Sequence, residues 1–376
     1  MRSGAGTKRP RSRPSPRCWT GDADSHGPGR ARPRCFGTEI REVPVKRIAA
    51  AALILATAPA VAQTSAPAAS PAIDPAVLRM QVVLDKLGFG PGIIDGRGGQ
   101  SLTNAIKGFQ ESRGLRVTGT PDAATLAALR PYAGVRPTIE VTLDRDAMRG
   151  PYVSVIPKDY AEQAKLPSMA YRRPLEKLAE RFHTTPQVLA QLNPGVTTIA
   201  PGTKITVPNT FPTSRAYPAD ATPAWRATLA SLNVEAKVPQ AAKIVVDKSD
   251  GILRVLDGEG RLVAQYTATI GSSRDPLPLG NWKVLHVSPN PDWKMNPKIL
   301  KGVPDSKQAQ IIPPGPNNPV GVVWIDLSKE HYGIHGTSEP QQIGRAQSNG
   351  CVRLTNWDAA RVALMVKGGT PVLFQA

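Results

Sequence analysis

The sequence predicts a multidomain α+β protein with a small three-helix domain, a βααβ module and a mostly β C-terminal domain of sandwich type. Its 376 residues exceed the length of one ordinary domain. The chain is rich in turn-forming residues, with 38 Pro and 33 Gly, which suits small modules joined by turns. Apolar residues recur at helical spacing up to about residue 209, and beyond residue 240 they alternate with a period of two.

An export signal lies unusually far from the first residue. Lys46 and Arg47 precede an apolar run, and Ala60-Val61-Ala62 forms a small-X-small cleavage site. The run is too short to remain as a membrane-spanning helix, so we expect an exported, periplasmic or wall-associated protein without a transmembrane anchor. The predicted segments are a disordered leader or misassigned start (1–44), a signal peptide (45–62) and a linker (63–72).

Charge and cysteine content narrow the possible partners. The formal net charge is +18, and residues 1–62 contribute 12 Lys and Arg against 4 Asp and Glu. A basic surface favours anionic polymers. The sequence has no basic stripe interleaved with aromatic residues and no helix-turn-helix pattern, so we do not expect it to bind nucleic acid. The anionic partner that we expect is a cell wall that carries carboxylates. Cys18 and Cys35 precede the cleavage site, which leaves Cys351 as the lone cysteine of the mature chain.

Residues 73–133 predict three short helices. Asp74-Pro75 is an N-cap followed by proline, Ser101 is the expected cap of the second helix, and Thr120-Pro121 is expected to open the third. The pattern resembles the peptidoglycan-binding domain of wall hydrolases, through Gln81, Leu84, Gly88, Ile94-Asp95-Gly96, Ala105, Phe109-Gln110 and Gly114-Leu115. Residues 98–102 depart from that family's usual Phe-Gly-X-X-Thr.

A second module is predicted at 168–209, after a connecting segment at 134–167. Two helical faces and a final alternating strand give a strand-helix-helix-strand layout that resembles the lysin motif (LysM), a binder of N-acetylglucosamine-containing glycans. Arg172-Arg173-Pro174 replaces the usual Gly-Asp-Thr. We expect His183 at a helix end or on the surface, and residues 210–239 as a linker.

Residues 240–376 predict short strands and one late helix. Thr355 with Asp358 is expected to open this helix and Gly368 to end it. The predicted strands are 244–246, 252–256, 261–266, 282–287, 321–327 and 371–374.

The late Cys and His residues carry the chemistry of the chain. A thiolate with an imidazole alongside can attack an acyl carbon, and Cys351 follows His335 by sixteen residues. His331 is the competing base, whereas His286 is expected to be structural. The backbone N–H groups of Gly350 and Cys351 could stabilise an oxyanion.

The string Ile334-His335-Gly336-Thr337, Pro340, Ile343-Gly344 and Ser348-X-Gly350-Cys351-Val352-Arg353 resembles the signature of L,D-transpeptidases. The resemblance implies Cys351 as nucleophile and His335 as base, with the imidazole oriented by the backbone carbonyl of Gly336. Ser348 is expected to support the site through hydrogen bonds, and Asn349 stands where His is more frequent. Arg353 is expected to bind a substrate carboxylate or to form a structural salt bridge with Asp358.

The same resemblance implies a peptidoglycan cross-linking enzyme that makes 3→3 links through a cysteine thioester. Carboxypeptidase, endopeptidase and lipoprotein-anchoring activities use the same site, and an inactive wall-binding scaffold is a further alternative. Partners are stem peptides, glycan strands and carbapenem inhibitors; no cofactor or metal is expected. We expect the two small modules to localise the enzyme, so that a fragment of residues 240–376 keeps its reaction with small acyl donors.

Overall fold

A computed structural model describes residues 71–272, 275–298, 304, 306–345 and 350–376 of the chain. The predicted leader and signal peptide and most of the 63–72 linker lie outside these residues, and so do Ser348 and Asn349. The chain from residue 71 onward packs as one unit.

The three predicted helices are present, with shifted starts. Asp74 caps the first by accepting hydrogen bonds from two backbone amides, as predicted. The second begins after Gly99, so Ser101 lies within its first turn and does not cap it. The third begins after Asp122, whose carboxylate accepts from the Thr125 amide. The elements are α1 (Pro75–Lys86), β1 (Phe89–Gly90), α2 (Gln100–Ser112) and α3 (Ala123–Leu129).

The next elements form a βααβ layout that begins earlier than predicted. They are β2 (Thr138–Thr142), α5 (Pro174–Arg181), α6 (Pro186–Leu192) and β3 (Lys204–Pro208); the short helix α4 (Tyr160–Gln163) lies between β2 and α5 in the chain and contacts the strand Gln310–Ile312 of the C-terminal domain instead. β2 pairs antiparallel with β3, so the segment expected only to connect two modules supplies the first strand. Apolar side chains of β2, α5, α6 and β3 share one cluster. His183 follows α5, as expected of a helix end, but it is fully buried, so the surface alternative is wrong.

The segment 210–239 is not a linker. It forms α7 (Pro223–Ser231), which Thr222 caps by accepting from the Trp225 amide. Trp225 and Leu229 are buried in the apolar core of the C-terminal domain. The prediction failed because proline and polar residues around the helix hid an apolar face of the required spacing.

The C-terminal domain is mostly β, with one helix packed on its core. Its elements are β4 (Lys243–Asp247), β5 (Ile252–Leu256), β6 (Leu262–Thr267), β7 (Thr269–Ile270), β8 (Gly280–Pro289), β9 (Trp293–Met295), β10 (Gln310–Ile312), β11 (Val323–Leu327), β12 (Gly333–His335), β13 (Val352–Arg353), α8 (Asn356–Met365) and β14 (Pro371–Gln375). Thr355 caps α8 by accepting from the Asp358 amide, as predicted. The helix ends at Met365, before the expected Gly368.

Within the described residues, ten strands join into one sheet in the order β1-β6-β5-β4-β14-β8-β11-β12-β13-β7, while β9 and β10 pair only with each other. The long strand β8 pairs with β14 through its first half and with β11 through its second. Buried side chains of both halves of the sheet belong to one core, together with those of α8. The expected sandwich is therefore realised as two halves that are hydrogen-bonded to each other through β8.

The three-helix domain contributes a strand to this sheet. β1 pairs in parallel with β6, and Leu262 of β6 is buried among apolar side chains of α1 and α2. None of the helices in the described ranges has the length and hydrophobicity needed to cross a membrane.

Candidate active site

His335 ends β12 inside the protein, with 4% of its surface exposed. Its ring stacks on Trp324 of the neighbouring strand β11, with centroids 5.3 Å apart. Nδ1 lies 2.7 Å from the carbonyl oxygen of Gly336. A carbonyl only accepts hydrogen bonds, so Nδ1 carries the proton of the neutral ring and Nε2 is left with a lone pair.

The turn after His335 is held by a side-chain amide. Asn356 Oδ1 accepts from the backbone amides of Val322 and Thr337, both at 3.1 Å. A Cβ atom added at Gly336 would lie 2.1 Å from this oxygen. Glycine at position 336 therefore permits the close approach that fixes the turn.

Cys351 is placed beside His335 by a parallel strand pair. In the register of β12 and β13, Ile334 faces Val352 and His335 faces Arg353. Ile334 and Val352 are fully buried in the core. Since successive side chains of a strand alternate, those of His335 and Arg353 project together from the opposite face, and Cys351, which directly precedes β13, lines the same cavity. His335 and Cys351, sixteen residues apart in the sequence, thus lie at the wall of the same cavity.

The thiol has its own backbone contacts. Cys351 Sγ lies 3.8 Å from the carbonyl oxygen of His331 and also has a hydrogen bond with the backbone of Gly333. Gly350 before it has φ +89°, and a Cβ there would lie 2.7 Å from the Tyr332 ring. Only glycine combines that backbone conformation with that clearance, so Gly350 fixes the entry of the chain into the cysteine.

His335, Cys351 and Arg353 line one cavity of ≈ 450 Å³. Aromatic side chains from distant segments form much of its wall, and two lysines and two acids are distributed around it. The other lining residues are Tyr160, Asp275, Trp293, Lys294, Asn296, Pro319, Val320, Trp324, Lys329, Glu330, His331 and Tyr332.

Burial keeps both reactive groups uncharged at neutral pH. Removal from water, together with the charge of Arg353, lowers the pKa of His335 to about 3. Burial likewise raises the pKa of the Cys351 thiol, against the opposing effects of the Gly333 hydrogen bond and Arg353. The resting pair is therefore neutral imidazole and thiol, in which Nε2 can accept the thiol proton as the sulfur attacks.

Arg353 does not form the salt bridge with Asp358 that the sequence left open. Asp358 pairs instead with Arg361, at 3.1 Å. The Nε atom of Arg353 is buried and has no hydrogen-bond partner within the described ranges. The guanidinium of Arg353 lines the cavity and can donate hydrogen bonds to a ligand there.

The other histidines have different surroundings. His331 also lines the cavity, but its side chain is about half exposed and its Nε2 lies 3.3 Å from Glu330. His286 is on β8, with Nδ1 3.6 Å from Asp326. Its side chain is 63% exposed, so it is not a packed structural residue.

Sequence reasoning missed the residues that support the site from afar. Trp324, Asn356, Tyr160 and Trp293 lie in segments that sequence patterns assigned to strands, a helix start or loops. Tyr160 and Trp293 form an edge-to-face pair with centroids 5.4 Å apart at the cavity wall. No local signal could pair them, because they are far apart in the chain. The described residues contain no cluster of three or more His, Cys, Asp or Glu side chains suited to a metal ion.

A thiol and an oriented neutral imidazole at the wall of one cavity are the two groups that a cysteine-nucleophile site requires. Two family models match the chain. The L,D-transpeptidase catalytic domain matches residues 241–373, and the putative peptidoglycan binding domain matches residues 74–129.

Curated relatives carry the same designation. A putative L,D-transpeptidase in the ATP synthase subunits region of Fuscovulum blasticum is 31% identical over 129 residues, which are 34% of this chain and 67% of the relative. The putative L,D-transpeptidase YkuD of Bacillus licheniformis is 29% identical over 200 residues, which are 53% of this chain and 91% of the relative. The chain belongs to the L,D-transpeptidase family and carries a peptidoglycan-binding domain.

Solved structures are similar over about a third of the chain. An L,D-transpeptidase from Mycobacterium smegmatis is 23% identical, with a TM-score of 0.30, and the match covers 35% of this chain and 58% of that one. The chain thus spans less than two thirds of the length of this structural relative.

Proposed function

We propose that this protein is a peptidoglycan L,D-transpeptidase that forms 3→3 cross-links through a thioester on Cys351. The observation that supports the proposal most directly is the placement of Cys351 beside His335 at the wall of one cavity. The oriented neutral imidazole gives His335 the lone pair that a general base needs.

In the first half-reaction, His335 Nε2 takes the thiol proton while Sγ attacks the carbonyl of the third residue, a diamino acid, of a tetrapeptide stem. The C–N bond to the terminal D-alanine then breaks, and the imidazolium returns its proton to the leaving amine. In the second, the side-chain amine of another stem attacks the thioester, and the thiol is restored. The backbone amides of Gly350 and Cys351 are the proposed donors to the oxyanion, a contribution of about 3 kcal/mol.

Arg353 is proposed to bind a carboxylate of the donor stem. Its guanidinium lines the same cavity as Cys351, and its Nε lacks a partner within the described residues. A carboxylate would supply that partner through a charge-assisted hydrogen bond. We also propose, from the sequence alone, that Ser348 and Asn349 belong to the substrate-binding and oxyanion part of the site, with Ser348 supporting it through hydrogen bonds.

The proposed setting is the cell wall outside the membrane. The predicted signal peptide at 45–62 would export the chain, and the peptidoglycan-binding domain would hold it at its substrate. The βααβ module is proposed to add glycan contacts in the manner of a lysin motif.

The function is tested by incubating the full chain with tetrapeptide muropeptides and identifying the products by mass spectrometry. We expect dimers with a 3→3 link and free D-alanine, and a thioester adduct on Cys351 when acceptor amine is withheld. Tripeptides alone would indicate carboxypeptidase activity, cleavage of preformed dimers endopeptidase activity, and the absence of any product a scaffold. Carbapenem acylation of Cys351 is a second readout.

Two histidine variants test the base. His335→Ala should abolish dimer formation because it removes the imidazole whose Nε2 is proposed to take the thiol proton. His331→Asn, a change that suits the positive φ of 66° at this position, should keep it. The reverse result would assign the base to His331.

A further inference from the structure

The Glu180 side chain reaches into the C-terminal domain from a different module. It lies near the end of α5 and is 7% exposed. Its Oε1 accepts a hydrogen bond from Asn356 Nδ2 at 2.7 Å, and its Oε2 accepts from the hydroxyl of Tyr171 at 2.5 Å. Glu180 and Asn356 are 176 residues apart in the sequence.

This contact decides which end of Asn356 faces the active site. A side-chain amide has a donor end and an acceptor end that occupy nearly the same volume. Glu180 and the carbonyl oxygen of Pro316, at 2.7 and 3.1 Å, both accept hydrogen bonds and hold the NH2 end. The oxygen is thereby directed at the amides of Val322 and Thr337. A rotated Asn356 would set its NH2 group against these two N–H donors.

The peptide unit that Asn356 holds is the one that orients His335. The N–H of Thr337 and the C=O of Gly336 belong to the same peptide bond, and a trans peptide is planar with these groups pointing in opposite directions. Fixing the N–H on Asn356 therefore fixes the C=O that accepts from His335 Nδ1. The chain of contacts runs from Glu180 through Asn356 and this peptide to the imidazole.

A purely stabilising role does not account for a carboxylate in this position. Burial raises the pKa of Glu180 to about 7, so its ionised form is disfavoured by its surroundings. A buried carboxylate costs free energy unless a cation pairs with it, and the hydrogen-bond partners of Glu180, Tyr171 and Asn356, are both neutral. An acceptor at position 180 therefore serves to keep the NH2 end of Asn356 turned towards α5, and it does not serve to raise the free energy of unfolding.

We propose that Glu180 is a positioning residue for the active site: through Asn356 and the Gly336–Thr337 peptide it fixes the tautomer and orientation of His335. The inference rests on the proposed role of His335 as the base. It makes α5 of the βααβ module a part of the catalytic apparatus and not only a tether.

The test exchanges the polarity of the pair in the full chain. Asn356→Asp places a second carboxylate against Glu180, and Glu180→Gln retains an acceptor for Asn356. In the double variant, the amide introduced on α5 can donate to the carboxylate introduced on α8 while its oxygen accepts from the Tyr171 hydroxyl. The carbonyl oxygen of Pro316 still faces that carboxylate, so the recovery is expected to be partial. Glu176→Gln is the matched control, since Glu176 lies one turn earlier on α5 and binds Arg172 and Asn317 instead.

We expect kcat to fall about 100-fold in Asn356→Asp, the scale of effect for a misplaced catalytic group, with KM little changed because the cavity lining is intact. The control Glu176→Gln should stay near wild type, and the double variant should recover at least about tenfold relative to Asn356→Asp, a non-additivity that marks direct coupling. An unchanged kcat in Asn356→Asp would refute the proposal. So would a double variant that melts like wild type without recovering.

A second variant and a second readout keep the test decisive. Glu180→Leu removes the acceptor of Asn356 and can be measured even if Asn356→Asp does not fold. A lower kcat at constant KM would support the proposal, and an unchanged kcat would oppose it. Single-turnover acylation of Cys351 by a small activated ester needs no peptidoglycan. If wild type is acylated but forms no cross-links, the proposed function fails, and the acylation rates of the variants still decide the role of Glu180.

Discussion

At the scale of single residues, the reactive pair is defined by burial more than by ion pairing. Many cysteine nucleophiles are activated by a positive neighbour that lowers the thiol pKa. In this protein His335 is buried and its pKa falls, while the pKa of Cys351 rises. Both shifts favour the uncharged forms, so activation depends on proton transfer during attack and hence on the orientation of the imidazole.

This state of the pair predicts how Cys351 reacts with iodoacetamide. Alkylation needs the thiolate, so the rate should stay low at neutral pH and rise only as pH approaches the elevated pKa of the thiol. His335, with a pKa of about 3, should add no step near pH 6.5. The alkylation rate measured from pH 5 to 10 checks this. A plateau of fast reaction beginning near pH 6 would instead reveal a thiolate–imidazolium pair.

Gly350 offers a second test at the same scale. Gly350→Ala should lower the rate of acylation by about 100-fold, since the added Cβ would meet the Tyr332 ring at 2.7 Å and the positive φ disfavours alanine. Gly134→Ala is the control, because a Cβ there meets nothing within 4 Å. Equal acylation rates in the two variants would show that the chain entering Cys351 tolerates displacement.

Some of the site residues could be predicted from the sequence and others could not. Cys351, His335 and Gly336 stand in a local string whose residue types and spacing point to their chemistry. Glu180 and Asn356 carry no such signal, because their contact joins segments 176 residues apart and depends on the packing of α5 against α8. Arg353 was placed at the site, but the choice between ligand and salt bridge needed the position of Arg361.

At the scale of elements, hydrophobic periodicity in the sequence located most strands and helices. The contacts that these elements make could be read only from the structure. The alternating runs of the C-terminal domain became β4, β5, β6, β8, β11 and β14 close to their predicted bounds. The same reasoning missed α7, although Thr222-Pro223 is an N-cap signal and Trp225 and Leu229 are four residues apart. It could not foresee β1, a two-residue strand that exists only because β6 offers it a partner.

The burial of α7 predicts a stability effect in the segment expected to be a linker. Leu229 is fully buried in the C-terminal core, so Leu229→Ala should lower the free energy of unfolding by about 2–5 kcal/mol. Arg226→Ala on the same helix alters a half-buried side chain whose Nη1 lies 3.4 Å from the Ala219 carbonyl oxygen, and should lower it by no more than about 1 kcal/mol. Urea denaturation of both variants gives the comparison. A Leu229 variant as stable as the Arg226 variant would mean that α7 is not part of the cooperative unit.

At the scale of the whole molecule, the modules are joined by a buried ionic cluster. Arg361 of α8 binds both carboxylate oxygens of Asp85 on α1, each at 2.8 Å. His183 Nδ1 lies 3.1 Å from the same carboxylate, and its ring stacks on Trp357 at 5.0 Å. Burial alone would raise the pKa of Asp85, but the charges of Arg361 and His183 outweigh it and hold that pKa well below its usual range. Groups from three modules thus satisfy one another's charges.

This cluster changes the expectation for the isolated C-terminal part. A fragment of residues 240–376 would lack α7, leave Arg361 without Asp85, and leave Asn356 without Glu180. Arg361 would keep only Asp358 of its two carboxylate partners, and loss of buried side chains the size of Leu229 costs about 2–5 kcal/mol each, a large part of the stability of an ordinary domain. The sequence alone suggested that this fragment keeps its reaction with small acyl donors; the structure predicts that it does not.

The comparison is between residues 71–376 and residues 240–376, each followed by circular dichroism during urea denaturation and by mass spectrometry after incubation with a carbapenem. We expect the longer chain to unfold cooperatively and to be acylated on Cys351. The shorter one should be largely unfolded or unacylated, because its core is opened where α7 leaves and its catalytic turn loses the acceptor that orients Asn356. Equal acylation rates and equal unfolding midpoints would show instead that the small modules are separable tethers.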